Sequence, residues 1–183
     1  MIYNLSLQTT GLAAGLLLIF SHAFAFLRPG QTAAWAKAFP RSRGAATVLL
    51  AIAAVWGFLL VQSIDLGEFS QLRNLMLLAI VAGAILSWIY VPEFLAARSL
   101  GMLLLLAAEP LLESAVLRHE TSRLLLVVLA YGWVIAGLFF VGMPYLLRDA
   151  IQWVTAGRNR LKFGAIAGTV YGLALVICAL VFW

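Results

Sequence analysis

The chain has 183 residues, of which 64% are hydrophobic and only 10% are charged. A soluble domain carries about 25% charged residues, so this composition excludes an ordinary soluble fold and indicates a protein whose main solvent is lipid. The formal net charge is +5, but the Lys and Arg residues stand in short loops between apolar runs, which indicates membrane topology and not a nucleic-acid-binding face. We therefore expect the lipid bilayer as a partner and no nucleic acid.

Six apolar runs are long enough to cross a membrane as helices, because a span needs about 20 apolar residues. In chain order they are residues 5–27, 44–63, 72–91, 94–117, 123–147 and 161–183. The predicted fold is an all-α polytopic integral membrane protein, with one transmembrane domain over residues 1–183 and six transmembrane helices arranged as three helical hairpins. The fourth run is the least regular, because Arg98, Glu109 and Glu113 interrupt it.

The loops predict how these spans are threaded. Nine of the twelve Lys and Arg residues fall in or beside the loops after the first, third and fifth spans. Short loops rich in Lys and Arg stay in the cytoplasm, so we expect both termini on the non-cytoplasmic side, in a membrane such as the bacterial inner membrane. If the fourth run did not span, the basic loop at 148–162 would land on the wrong side, which favours six spans.

A weak internal repeat relates residues 27–43 to residues 147–160. Each copy has Leu-Arg, then a tryptophan (Trp35 or Trp153), then Arg-x-Arg. Duplication and convergence explain it equally well, since Trp favours the headgroup level and long basic side chains reach lipid phosphates. Either origin predicts a basic interfacial segment that binds anionic lipid headgroups on the cytoplasmic side. The predicted headgroup-binding residues are Arg28, Arg41, Arg43, Arg148, Arg158, Arg160 and Lys162.

Glu109 and Glu113 form a candidate intramembrane polar site. If the fourth span covers 94–117, Glu109 lies about 22 Å from its cytoplasmic end, inside an apolar core about 30 Å thick. Glu113 is one turn further along the same face. Two carboxylates placed there would share protons and suit a proton or cation site, and Pro110 would free a backbone carbonyl beside them.

The alternative interpretation ends the span near Ala108 and makes residues 109–123 an outer amphipathic segment. Glu109 would then be the N-cap before Pro110 at the first helical position, and the carboxylates would face water. Its weakness is that residues 94–108 are too few to cross the bilayer without thinning it.

The histidines and the outer polar cluster give weaker signals. A b-type haem between helices needs two axial histidines at similar depth, and His22 and His119 are expected near opposite faces, so we predict no cofactor. His119 with Glu113 and Glu120 could supply metal ligands, but the spacing is unspecific and we predict no metal. The candidate outer-face cluster is Arg118, His119, Glu120 and Arg123, for which a solvated turn capped by Thr121 or Ser122 is the simpler interpretation.

Small residues provide the strongest structural motif. Gly164, Gly168 and Gly172 repeat every fourth residue, and Gly11 and Gly15 form a possible mating face on the first span. Such glycines allow two helices to approach closely, so they predict helix packing, within the chain or with other membrane helices in a homo- or hetero-oligomer. The single cysteine, Cys178, lies within an apolar run and predicts a packing residue.

Three classes of function remain after these observations. The first is a non-enzymatic accessory or scaffold subunit of a membrane assembly. The second is a small proton- or cation-coupled transporter or channel that uses Glu109 and Glu113. The third is a lipid-modifying membrane enzyme with Glu113, His119 and Arg123 at the headgroup level, which requires those side chains to converge on one pocket. Since the chain has no nucleotide-binding loop, HExxH, GxSxG or CxxC motif, an enzyme is the least favoured class.

Overall fold

The computed structural model describes residue 3 and residues 5–183, except for the side chain of residue 158. Within this part the chain forms eight α-helices, two short 3-10 helices at Phe39–Arg41 and Gly67–Leu72, and no strand. The α-helices in chain order are α1 (Leu7–Leu27), α2 (Pro29–Ala38), α3 (Arg43–Ser63), α4 (Arg73–Tyr90), α5 (Leu95–Ala115), α6 (Arg123–Gly142), α7 (Tyr145–Thr155) and α8 (Arg158–Val181).

Six of the helices in the described chain are long and apolar enough to cross a membrane, namely α1, α3, α4, α5, α6 and α8. This confirms the prediction of an all-α, six-span membrane protein. Five of these six α-helices differ from the predicted bounds by at most three residues at either end, because a long apolar run has few ways to satisfy its backbone in lipid other than a helix. The third candidate span also includes the 3-10 helix before α4 and begins at Gly67.

The fifth span is the exception. It was expected to run to residue 147, but α6 ends at Gly142 and a separate 11-residue helix, α7, begins at Tyr145. Pro144 accounts for the break, because a proline has no N–H to continue the helix and forces the preceding residue out of the helical conformation. The Leu147-Arg148 pair therefore lies inside α7 and not at the end of a span.

Three spans end in the same way, at a residue that is followed by a proline. The residues before Pro29, Pro92 and Pro144 are Arg28, Val91 and Met143, and their φ, ψ angles are −128°, 61°, then −124°, 55°, and then −130°, 68°. Each still donates its N–H to the carbonyl four residues back, over 2.9, 3.0 and 2.7 Å respectively. These three spans thus end in the same local conformation. The Leu-Arg pairs of the predicted repeat are not equivalent in this respect, because Leu27-Arg28 precedes Pro29 whereas Leu147-Arg148 follows Pro144.

The close helix pairs differ from the hairpins that the loops suggested. α1 packs along α8, α5 packs along α6, and α3 packs against both α4 and α5. The larger core cluster joins α1, α5, α6 and α8 around residues such as Leu126 and Leu175, which have no exposed surface. α5 contacts α1, α3 and α6 and is therefore the central helix, whereas α4 buries no residue.

Two glycine pairs set the closest helix crossings. A Cβ built on Gly172 of α8 would lie 2.8 Å from the carbonyl oxygen of Gly15 in α1, and the reciprocal distance is 2.9 Å. Gly101 of α5 and Gly137 of α6 form the equivalent pair, with both distances 2.8 Å. Real Cβ atoms do not approach so closely, so only glycine permits either crossing.

Candidate functional site

The carboxylates of α5 lie inside a continuous helix. α5 runs from Leu95 to Ala115 with Pro110 in its interior, so the alternative break near residue 108 does not occur. At about 1.5 Å per residue, Glu109 is about 21 Å from the start of the helix and about 9 Å from its end. The helix is thus long enough to cross a bilayer without thinning it, and Glu109 is part of this helix.

Glu109 and Glu113 line one groove on the surface of the bundle. The groove has a volume of about 550 Å³, and its other lining residues are Leu105, Ala108, Leu112, Val116 and Val134. Both carboxylates are half-buried. They lie in the C-terminal third of α5, in a mostly apolar groove where α5 meets α6.

Tyr3 ties Glu113 to the neighbouring span. Its backbone N–H donates to Glu113 Oε2 over 3.2 Å, and its hydroxyl accepts a 2.8 Å hydrogen bond from Trp56 Nε1 of α3. A buried carboxylate is tolerated when donors of this kind reach it. The bridge joins the C-terminal halves of α3 and α5, away from the ends at which these two helices begin.

The outer-face cluster does not form one site. Arg118 and His119 are exposed, and Arg123 donates from Nη1 to the carbonyl of Ala115 over 2.8 Å. Glu120 is half-buried, and neither His119 nor Arg123 lines the groove of Glu113. Among the residues that the structure describes, no group of three His, Cys, Asp or Glu side chains could hold a metal ion.

His22 lies at the crossing of α1 and α8. Its Nδ1 is 2.9 Å from the carbonyl oxygen of Leu18 and 3.2 Å from the hydroxyl of Ser21. Its ring packs on Gly168, where a Cβ would overlap the imidazole. Of the other glycines in the predicted packing faces, Gly11 lies beneath the ring of Trp183, while Gly164 has open space around it.

The basic loops meet at one end of the bundle, which we call the basic end and define as residues 28–43, 91–98 and 143–162. The surface helices α2 and α7 contact each other there. Trp35 of α2 stacks on Phe24 of α1 with ring centroids 5.5 Å apart, and Arg160 of α8 lies 4.8 Å from the Trp153 ring centroid of α7. Each surface helix is thus fastened by its tryptophan to an adjoining span.

A cleft of about 330 Å³ lies beside the contact between α2 and α7. Lys37, Pro40, Arg148, Ile151 and Gln152 line it. Arg148 pairs with Asp149 Oδ1 through Nε and Nη2, both at 2.8 Å, and its guanidinium lies 5.9 Å from the ring centroid of Phe94. We call this the α2–α7 cleft, and it brings a lysine, an arginine and an amide together at the basic end.

The predicted headgroup-binding residues are distributed around this end. Arg28, Arg41, Arg43 and Arg160 are exposed, and Arg148 and Lys162 are half-buried; the side chain of Arg158 lies outside the described residues. The spans that start here, α3, α5 and α8, have no acidic residue in their first turn. Basic residues at a helix N-terminus oppose the helix dipole, so helix stability does not explain why these basic residues lie there. A bound anion would be attracted both by the basic side chains and by the N-termini of the helices.

Sequence reasoning missed Lys37 and Gln152. Lys37 was counted only as loop charge, and Gln152 was not considered, because residues 145–155 were divided between a span and a loop. The spacing of Leu147, Ile151 and Val154 indicates a helix with one apolar face, and Arg148 and Gln152 lie beside that face.

The chain matches no known family, and neither a similar curated protein nor a similar solved structure was found.

Proposed function

We propose that this chain is a non-enzymatic accessory subunit of a membrane assembly, anchored at its basic end by anionic lipid headgroups. The observation that carries the proposal is the contact between α2 and α7, which gathers cations from two separate loops into one surface. Each cation near an anionic membrane surface contributes about 1 kcal/mol of attraction. Nine cations beside two carboxylates at this end therefore favour anionic lipid strongly.

The position of α4 supports a role in assembly. No residue of α4 is buried, and it packs mainly against α3. Its outward side chains include Leu78, which is 64% exposed, and Ile85, which is 53% exposed. A span held by one neighbour leaves most of its surface for lipid or for helices of another subunit.

A photo-crosslinking amino acid placed at Leu78 tests the assembly role in native membranes. We expect a discrete protein adduct there, and none with the same group at Val128 of α6, which is equally exposed at 62%. If the photo-crosslinker gave lipid adducts and no protein adduct at Leu78, at Leu75 and at Ile85, the proposal that α4 docks another subunit would be contradicted.

A second candidate function is cation- or proton-coupled transport, which the groove around Glu109 and Glu113 favours. Ionisable side chains within a span commonly mark an ion or proton pathway. Purified protein in sealed vesicles with a pH-sensitive dye inside would show proton flux that Glu109→Gln abolishes and Glu68→Gln leaves unchanged. Equal dye responses in protein-containing and empty vesicles would exclude proton transport.

A further inference from the structure

We propose that the α2–α7 cleft binds the headgroup of one anionic phospholipid whose headgroup carries a hydroxyl. Lys37 and Arg148 would take the phosphate, and the amide of Gln152 would meet the hydroxyl. The inference rests on the proposed function, in which the basic end holds anionic lipid, and it names the one place where that lipid is held specifically.

The geometry of the cleft distinguishes it from the rest of the basic surface. Its volume of about 330 Å³ is within the range of about 300–1,000 Å³ typical of small-ligand pockets. Lys37 comes from α2, Pro40 from the following 3-10 turn, and Arg148, Ile151 and Gln152 from α7. The polar groups thus share the cleft with two apolar side chains, Pro40 and Ile151, which suits the junction between a headgroup and its acyl chains.

The charges suit a single phosphodiester. Lys37 and Arg148 bring two positive charges, and the neighbouring Asp149 removes one. Arg148 Nη1 takes no part in the pair with Asp149, so this edge of the guanidinium is left for a phosphate oxygen. Arg and phosphate form strong charge-assisted hydrogen bonds, and the planar guanidinium gives them direction.

The position of the cleft favours a lipid over a soluble phosphate. α2 follows one span directly, beginning at Pro29 after Arg28, and α7 follows another span after Met143 and Pro144. Tryptophans on both helices, Trp35 and Trp153, are exposed, and tryptophan prefers the headgroup level. A ligand in this cleft would therefore lie at the depth of lipid phosphates, with acyl chains able to pass into the bilayer.

Binding to purified protein in neutral detergent provides the test. Native mass spectrometry would be used to titrate phosphatidylglycerol, phosphatidic acid, phosphatidylcholine and inorganic phosphate. We expect phosphatidylglycerol to bind at least tenfold more tightly than phosphatidylcholine, and Lys37→Gln with Arg148→Gln to remove this preference. The comparison variant, Arg43→Gln with Lys162→Gln, loses the same charge elsewhere on the basic end, and it should lower the affinity for phosphatidylglycerol at least threefold less than the cleft variant does.

Two further variants test the details. Asp149→Asn removes the carboxylate that competes with the lipid phosphate for Arg148, so it should tighten phosphatidylglycerol binding severalfold. Glu93→Gln changes the net charge by the same amount outside the cleft and should not tighten binding. Gln152→Leu should lower the preference for phosphatidylglycerol over phosphatidic acid and leave binding of phosphatidic acid unchanged.

The outcomes separate the inference from the proposed function. Equal losses in the two charge-matched double variants would overturn the cleft site while leaving a diffuse lipid-binding surface intact. No preference for anionic lipid in the unaltered protein would overturn both. Inorganic phosphate that binds as tightly as phosphatidylglycerol would overturn the lipid as the ligand.

Discussion

The indole Nε1 of Trp183 donates a 2.7 Å hydrogen bond to the hydroxyl of Ser122, at the start of α6. The same indole ring covers Gly11 of α1. Ser122 occupies the N-cap position of α6, but its side chain does not cap the helix, so the expected capping role of Ser122 is replaced by this contact. One side chain thus joins α1, α6 and the end of α8.

Trp183→Phe should keep the ring over Gly11 and lose only the hydrogen bond. We expect the free energy of unfolding to fall by about 1 kcal/mol, the usual net value of such a bond. Ser122→Ala should cost a similar amount, and the double variant should cost little more than either alone. Thermal unfolding in detergent provides the measurement, and losses that simply add would show that the bond is absent.

Gly172→Leu should destabilise the α1–α8 crossing, because its side chain would meet the backbone of Gly15. Overpacking of this kind costs about 1–3 kcal/mol. Gly164→Leu is the matched control: it lies on the same helix, has open space around it, and should not lower stability, because leucine forms helix more readily than glycine. Denaturation of both variants in the same detergent measures the difference, and equal stabilities would place the crossing elsewhere.

Gly168 and His22 should be energetically coupled. Gly168→Ala puts a methyl group into the imidazole and should lower stability, whereas the same change in a His22→Ala background should be nearly neutral. A double-mutant cycle measures this coupling, which for contacting residues is about 0.5–3 kcal/mol. A coupling of zero would mean that the ring does not rest on Gly168.

Cysteine labelling should distinguish the loop after α5 from the interior of α5. On a Cys178→Ala background, a membrane-impermeant thiol reagent should modify His119→Cys rapidly, because the side chain is exposed in a loop. Glu109→Cys should react at least tenfold more slowly, since it lies about 9 Å inside the span. Comparable rates would place the outer third of α5 in water.

The orientation of the chain can be measured with reporter fusions. A reporter joined after residue 156, in the basic end, should show cytoplasmic activity, and one joined after residue 66 should show the opposite location. Added lysines around Asp65 and Glu68 should weaken this orientation. The reverse pattern of activities would invert the threading.

The spans could be predicted from sequence and their pairing could not. Hydropathy depends on each segment alone, so it located five spans closely and failed only where Met143 and Pro144 end the fifth. Pairing depends on which faces meet, and α1 meets α8 although they are the most distant spans in the chain. The crossing of Gly101 with Gly137 was missed because neither glycine has another glycine four residues away in the chain.

One of the two candidate sites could be predicted from the sequence and the other could not. Glu109 and Glu113 were found because carboxylates are conspicuous in an apolar run, and a helix of 21 residues explains their depth. The α2–α7 cleft was not found, because it is made by two short surface helices whose composition resembles loops. Short helices owe their stability to tertiary packing, which in this protein comes from Trp35, Trp153 and the spans beneath them.

The contact between Gly15 and Gly172 also has a consequence for how the protein is made. Gly172 is synthesised 157 residues after Gly15, and at about 5–20 residues per second the delay is on the order of ten seconds. During that interval α1 is already in the bilayer and its partner does not yet exist. Until α8 is synthesised, the glycine face of α1 therefore lacks its partner within the chain and remains available to lipid or to other membrane helices.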